Sequence, residues 1–458
     1  MARTIRRASV AAVALAVTLS GAPLMTSSAR GAARRPNVLI IMTDDQRAGT
    51  IKYMPRTRRW FKRAGTSFIN AYSTTPLCCP SRTSIFTGRY AHNHGVKNNH
   101  LTDELEQKST LQRYLKEAGY RTALFGKYLN SWAVTWDPPY FDAWATWSRG
   151  GGHYYNNQWN VRGRVKTIKK YSTDFIKRRA VRFLERTERD DRRPWLLYLT
   201  PVAPHRPFTP EPDYARARVP VWKSNPAVSE RDKRDKPPYV QQKRVRLKRV
   251  EQIRRQQLRT LMSVDELVGR VFGLLKRQNE KRRTLAFFLS DNGYLWGEHG
   301  LALNTGKRPP YVPSVRIPMV VRWPGRVGAS KTTRRLVANI DVAPTVLAAA
   351  NVEPSSRWPL DGRSLLGGGA RRRLLLEYWV DVGRTPEWAA IQTAAYQYIE
   401  YYEEDGTTVA FREYYDLAGD RWELRNLLAD RGDGNDPNVD ELSERLDEDR
   451  GCEGSDCP

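Results

Sequence analysis

A chain of 458 residues with 40% apolar side chains, 14 Trp and 22 Tyr has ample material for one large domain and a smaller one, which excludes general disorder. Its formal net charge of +28 favours encounters with polyanions and excludes an acidic, purely solvating chain. Only four cysteines are present, too few for a disulfide-built scaffold, and none has zinc-type spacing.

Residues 1–32, MARTIRRASVAAVALAVTLSGAPLMTSSARGA, combine a basic start, a short apolar stretch and small residues near Ser27 to Ala29. That layout reads as a secretory signal peptide rather than a membrane span, with Arg6-Arg7 allowing a twin-arginine route. No later apolar run is long enough to cross a bilayer. The expectation is a secreted or otherwise extracytoplasmic protein.

From Asn37 the run NVLIIM reads as a strand buried on both faces, and similar runs follow at WLLYLT (195–200), TLAFFLS (284–290) and PMVVRW (318–323). Between them lie helical patterns: STLQRYLKEAGY with Ser109 as cap and Gly119 as stop, DFIKRRAVRFLERTER, and a longer one from about Gln242 to Gln278. Strands alternating with helices predict an α/β fold with a central, mainly parallel sheet flanked by helices. The Lys/Arg/Pro-dense stretch from Lys223 to Lys248 reads as an exposed insertion. The chain loosens at EPSSRWPLDGRSLLGGGARRR, a domain boundary, beyond which aromatic runs such as AAYQYIEYYE and REYYDL suit a small antiparallel sheet. The expected domains are 36–355 and 371–430, followed by an acidic, flexible tail over 431–458 in which Cys452 and Cys457 can close a disulfide.

Two of the buried strands end in carboxylates and an amide: IIMTDDQ supplies Asp44 and Asp45, and FFLSDNG supplies Asp291 and Asn292. Ligands of open α/β sheets gather beyond the carboxyl ends of strands. Adjacent carboxylates there repel unless a cation separates them, and an all-oxygen donor set suits Ca²⁺ or Mg²⁺ rather than Zn²⁺. An Asp-Asp after one strand is commonly a turn or helix cap; its repetition at a second strand end favours a metal.

The stretch LCCPSRTSIFTGR, residues 77–89, places two cysteines directly before Pro80-Ser81-Arg82. Cys78-Cys79-Pro80-Ser81-Arg82, continuing to Thr87-Gly88-Arg89, resembles the signature of the sulfatase family. In that family the cysteine standing before x-Pro-Ser-Arg is oxidised to Cα-formylglycine by a dedicated maturation enzyme, so the resemblance makes Cys78 the converted residue and Cys79 the variable one. Further matches follow in order: Gly119-Tyr120-Arg121-Thr122 with Gly126-Lys127-Tyr128, then Ala203-Pro204-His205-Arg206-Pro207, then Lys307 ahead of Arg316-Ile317-Pro318, and finally EYYDLAGDRWELRNLL. They span about Pro36 to Leu428.

The resemblance implies an alkaline-phosphatase-like sandwich with a smaller C-terminal α+β domain, and a sulfuric ester hydrolase. It implies a divalent cation, Ca²⁺ with Mg²⁺ possible, on Asp44, Asp45, Asp291, Asn292 and the residue made from Cys78. Arg82 would stabilise the ionised nucleophile, Lys127 and Lys307 would hold the sulfate, and His205 would protonate the leaving alcohol. Leu129 stands where many sulfatases carry a histidine. The GKYLN form, with the segment from Ala91-His92-Asn93-His94 to Asn99, is similar to a subgroup acting on the 6-O-sulfate of glucosamine, and Asn130 is a candidate for the missing histidine's role. Tyr311-Val312 stands where relatives often have Tyr-Glu. His92, His94 and His299 are expected outside the metal's own ligand set. The expected partners are a sulfated saccharide and, during maturation, a formylglycine-generating enzyme; no nucleic acid is expected. Phosphate or phosphonate ester hydrolysis and non-catalytic polyanion binding are the alternatives.

Overall fold

The computed structural model describes residues 35–147, 153–190, 192–367, 369–381, 385–430 and 432–458. The expected signal segment, 1–32, lies outside them. Ten strands form the central sheet: β1 (Asn37–Thr43), β2 (Thr66–Tyr72), β3 (Arg121–Lys127), β4 (Ala143–Trp147), β5 (Asn157–Val161), β6 (Arg164–Ile168), β7 (Trp195–Thr200), β8 (Thr284–Ser290), β9 (Met319–Arg322) and β10 (Lys331–Ala338). Their spatial order is β10-β2-β9-β8-β1-β7-β3-β4-β5-β6. The middle of the sheet, β8-β1-β7-β3-β4, is parallel, whereas β9 and the β5–β6 hairpin run antiparallel to their neighbours.

Alternation along β1 explains the layering. Leu39 and Ile41 face one core, with Phe125, Leu197, Leu199 and Phe288. Val38, Ile40 and Met42 face the other, with Leu124, Leu196, Tyr198 and Phe287. Six helices matter here: α1 (Cys78–Thr87), α2 (Leu111–Glu117), α3 (Ser172–Glu188), α4 (Leu247–Arg277), α5 (Val342–Ala350) and α6 (Val439–Arg450). The first core is covered by α3, through Ile176, Ala180 and Leu184, and by α4, through Leu258, Leu261 and Val268. The second is covered by α1, α2 and α5, through Ile85, Phe86, Leu115 and Val346. Helices on both faces of a mainly parallel sheet are the expected α/β sandwich. Among the described residues no helix is long and apolar enough to cross a membrane.

A second sheet, β11 (Leu374–Tyr378), β12 (Trp388–Gln392), β13 (Tyr396–Tyr402) and β14 (Val409–Asp416), is antiparallel throughout, in that order. Its buried Leu374, Leu376 and Tyr398 share a core with Tyr72, Leu77 and Tyr311, so the smaller domain is packed onto the larger one.

The tail departs from the expected flexible segment. Leu442 and Leu446 recur at helical spacing, and the Asn438 side chain accepts from the Glu441 amide at 3.3 Å, so α6 forms. Arg373 then grips buried Asp449 with two bonds of 2.7 and 2.8 Å. Beyond α6, Cys452 and Cys457 are bonded and buried. This closed turn clasps the short helical turn Ala91–His94 that follows α1. His92 Nε2 and Asn93 Nδ2 both meet the Cys452 carbonyl at 2.9 Å, and the Gly454 amide donates to Asp361 at 2.7 Å.

Candidate active site

Parallel pairing of β1 and β8 aligns Thr43 with Ser290, so the two strands release Asp44-Asp45 and Asp291-Asn292 side by side. Asp45 turns the chain with φ 65°, a left-handed conformation that Asp tolerates better than bulkier residues. Its amide donates to Asp291 Oδ1 at 3.1 Å, and the Asn292 amide donates to the same oxygen at 2.9 Å. Asn292 Nδ2 donates to Asp45 Oδ1 at 2.8 Å, which leaves Asn292 Oδ1 buried with no partner.

Helix α1 begins at Cys78, directly after extended Leu77. Ser81 docks its first turn by donating to the Asp291 carbonyl, while Asn339 Nδ2 donates to Ser81 Oγ at 2.9 Å. Arg82, wholly buried, places Nε and Nη2 each 2.9 Å from Asp291 Oδ2, with Nη2 3.4 Å from Asp44 Oδ2. Lys127, the last residue of β3, pairs with Asp44 Oδ2 at 2.6 Å. Lys307 bridges Asp45 Oδ1 at 2.6 Å and Cys78 Sγ at 2.8 Å, and that sulfur lies 3.4 Å from Asp44 Oδ1. His205 sits between two cis prolyl bonds, Ala203-Pro204 and Arg206-Pro207. Its Nδ1 faces the Arg206 carbonyl at 2.8 Å, which turns Nε2 toward Asp45 Oδ2 at 3.7 Å. Every sequence-selected residue therefore meets in one cluster.

The electrostatics follow from burial and pairing. Burial alone would raise the Asp44 carboxyl, but Lys127, His205, Arg82 and Lys307 together hold it well below the usual carboxylate range. Asp291 is pushed up to about 6, by burial first and then by the Asp44 charge, against the pull of Arg82. The Cys78 thiol is pushed up to about 12 by burial and by Asp44, despite Lys127 and Lys307. Burial lowers His205 and favours its neutral imidazole.

The carboxylates of Asp44 and Asp45 and the amide oxygen of Asn292 are hard donors that fit a divalent cation such as Ca²⁺ or Mg²⁺, with the Cys78 sulfur and His205 imidazole beside them. Asp44, Asp45, Cys78 and His205 each offer a ligand atom within 4.8 Å of the others, and the orphaned Asn292 amide oxygen adds a fifth nearby donor. Asp291, by contrast, spends its oxygens on Arg82 and on two backbone amides, so here it buttresses the cluster. The three histidines expected outside the ligand set lie elsewhere: His92 pairs with Glu377 at 2.8 Å, His94 bonds Ser84 at 3.1 Å, and His299 bonds Glu230 at 2.7 Å.

The cluster floors a cavity of about 1420 Å³, reached by Asp45, His205 and Lys307 and walled by Trp147, Tyr294 and Arg308. Asn130 lines it too; its amide donates to Cys79 Sγ at 2.9 Å and its Oδ1 is buried without a partner. Sequence reasoning missed Ser81 and Asn339 as supports, and the wall built by Asn99, Arg308 and Asp381. In that wall Asp381 accepts from the Asn99 amide at 3.2 Å and pairs with Arg308 at 3.0 Å. The local signals for the wall were that Arg308 adjoins Lys307 and that Asn99 closes the segment beginning at Ala91.

Residues 36–352 match the family described as Sulfatase, and residues 297–451 match N-sulphoglucosamine sulphohydrolase, C-terminal. The chain belongs to the sulfatase family. It is 30% identical to human N-acetylglucosamine-6-sulfatase, over 77% of this chain and 68% of that protein. It is 28% identical to N-acetylglucosamine-6-O-sulfatase of Bacteroides thetaiotaomicron, over 87% of this chain and 81% of that protein. It also resembles the extracellular sulfatase SULF-1 homolog of Drosophila melanogaster, at 36% identity over 76% of this chain. The chain spans only 32% of that protein, and 50% of its Caenorhabditis elegans counterpart. In fold it is similar to a protein solved in complex with its substrate D-glucosamine-2-N,6-O-disulfate, with a TM-score of 0.79, 23% identity, and coverage of 91% of this chain and 97% of that one. It also shares the fold of a phosphonate monoester hydrolase from Silicibacter pomeroyi, with a TM-score of 0.68, 20% identity, and coverage of 90% and 94%.

Proposed function

We propose that the protein hydrolyses sulfate esters of a sulfated sugar outside the cytoplasm, with glucosamine 6-sulfate as the leading substrate. The supporting observation is the convergence of Cys78, Lys307, Asp44 and Asp45 on the floor of one cavity, roomy enough for a sugar and its neighbours. In this reading a formylglycine-generating enzyme converts Cys78, and the hydrated aldehyde supplies a hydroxyl nucleophile with a second hydroxyl on the same carbon. A divalent cation, Ca²⁺ ahead of Mg²⁺, would be held by Asp44, Asp45 and Asn292 beside Asp291 and the Cys78 position, supplying positive charge that polarises a sulfate oxygen.

The chain's own groups do the rest. Lys127 and Lys307 exchange their carboxylate partners for sulfate oxygens and offset the charge that spreads during transfer. Arg82, fixed by Asp291, keeps positive charge beneath the Cys78 position. His205 acts here as the imidazolium, its charge supported by Asp44 and Asp45 against burial, and passes the Nε2 proton to the bridging oxygen as the sugar alcohol departs. The cavity wall seats the sugar.

The test pairs mass spectrometry of the Cys78 peptide with sulfate release from defined saccharides. An aldehyde in place of the thiol, together with release from a 6-sulfated glucosamine, is the expected result. An ordinary cysteine in fully active protein, or a strong preference for phosphate or phosphonate monoesters, would reject the reading.

A further inference from the structure

Two lysines of the basic stretch that stands out in the sequence are consumed within the fold, whereas Lys223, Arg231, Arg244, Arg246 and Lys248 stay exposed. Lys233 donates to three backbone carbonyls, those of Val240, Lys243 and His299, and buried Lys236 is neutralised by Asp235 at 2.6 Å and Glu230 at 3.5 Å. A second concentration of unpaired charge lies at the opposite edge of the sheet from β10. There β6 is the outermost strand, and its residues are exposed from Arg164 to Thr167.

The hairpin's register orients this edge relative to the cavity. Asn157 pairs with Ile168 and Val161 with Arg164, and Asn156, Asn157 and Gln158 line the cavity. Lys169 and Lys170, which follow Ile168, therefore lie at the cavity end, while Arg162 marks the far end. Lys166 and Arg164 fall between, along a strand of about 17 Å.

Helix α3 extends the charge. It packs on the hairpin through Phe175 and Trp159, whose rings are 4.9 Å apart. One turn beyond Phe175, Arg179, Arg182 and Arg186 recur at i, i+3 and i+7, a single stripe. Arg179 is half-buried, lying 5.8 Å from the Phe125 ring, and its guanidinium is lowered by burial first and then by Arg182, Arg186 and Arg162.

Two nearby aspartates are otherwise engaged. Asp174 pairs with Lys177 at 3.1 Å and Arg178 at 2.9 Å, and Asp137 accepts from Asn160 at 2.8 Å. On α3, Glu185 adjoins Arg186 in sequence and lies about one turn from Arg182, without an ion pair to either, while Glu188 falls about half a turn from Arg179. Among the described residues, Arg162, Arg164, Lys166, Arg182 and Arg186 enter no ion pair.

Edge strands often carry charge to prevent strand pairing, which accounts for Arg164 and Lys166 but asks nothing of α3. We propose that this continuous cationic track, leading from the cavity rim along β6 and across α3, binds a sulfated polysaccharide chain beyond the sugar held in the cavity. The identity of that chain rests on the sulfated-sugar reading above. Nucleic acid is disfavoured because β6 presents no aromatic side chain on which a base can stack.

Two double variants test the track: Arg164→Glu with Lys166→Glu, and Arg182→Glu with Arg186→Glu. Heparin is the probe, and melting curves accompany each protein. Each variant should bind heparin at least about tenfold more weakly, with the slope of log affinity against log salt reduced by roughly two. Turnover of a monosaccharide sulfate should not change. Wild-type heparin affinity in both folded variants overturns the proposal, as does tighter wild-type binding to an oligonucleotide of matched charge. Absence of sulfate release from every saccharide would instead count against the catalytic reading, while leaving the binding result interpretable.

Discussion

The ammonium nitrogen of Lys307 lies 2.8 Å from the sulfur of Cys78. The same nitrogen pairs with Asp45, so it stands between the metal-type carboxylates and the position of the nucleophile. Lys307→Ala should lower kcat/KM for sulfate release by about 10²–10³, the usual effect of losing one preorganised donor. Steady-state kinetics at matched folded concentration check this. A loss below tenfold removes Lys307 from the sulfate cradle.

The adjacent cysteines should behave differently. Cys78→Ala should abolish turnover without unfolding the chain. Cys79 belongs to the second core, where its sulfur accepts from the Asn130 amide at 2.9 Å. Cys79→Ala should therefore cost stability, on the order of 1–2 kcal/mol, while retaining most activity. Melting and kinetics of both variants decide it, and equal activity losses contradict the assignment.

Chelation should separate activity from folding. Arg82, Lys127 and Lys307 already neutralise Asp44, Asp45 and Asp291, so the cluster holds together without an ion. Treatment with a chelator should abolish sulfate release yet shift the melting midpoint only slightly, and Ca²⁺ should restore turnover. Cooperative unfolding on chelation would show that the cation carries the fold.

The clasp on the tail predicts a pH effect. His92 is raised from 6.5 to about 9: burial acts to lower it, but Glu377 and the Cys452 carbonyl outweigh that. A base raised in the folded state contributes its stability fully below the unfolded value and loses it as pH rises through the folded one. The contribution, on the order of 2–3 kcal/mol, should therefore fade between pH 6.5 and about 9. Melting curves of wild type and His92→Gln across this window should converge at the alkaline end. A constant gap refutes the charge pairing.

Much of the site was readable because burial on both faces leaves β1, β7 and β8 as unbroken apolar runs, with chemistry at their ends. Parallel register then carries Asp44 to Asp291, a step the local pattern implies but does not contain. Roles for His205, Lys127 and Lys307 came from the family resemblance, since a lone lysine or histidine has no local mark. The β5–β6 hairpin was invisible because RVKTI lies at an edge and buries little. The cavity wall was invisible for another reason: Asn99, Arg308 and Asp381 come from three distant segments, and only folding makes them neighbours. The tail misled because its acids outnumber its apolar residues, whereas two leucines and a disulfide suffice once a partner surface exists.

That clasp also sets a length scale for folding. His92 and Asn93 are fastened by a turn some 360 residues further along the chain, so this contact closes a very long loop, a closure whose entropic cost grows only slowly with length.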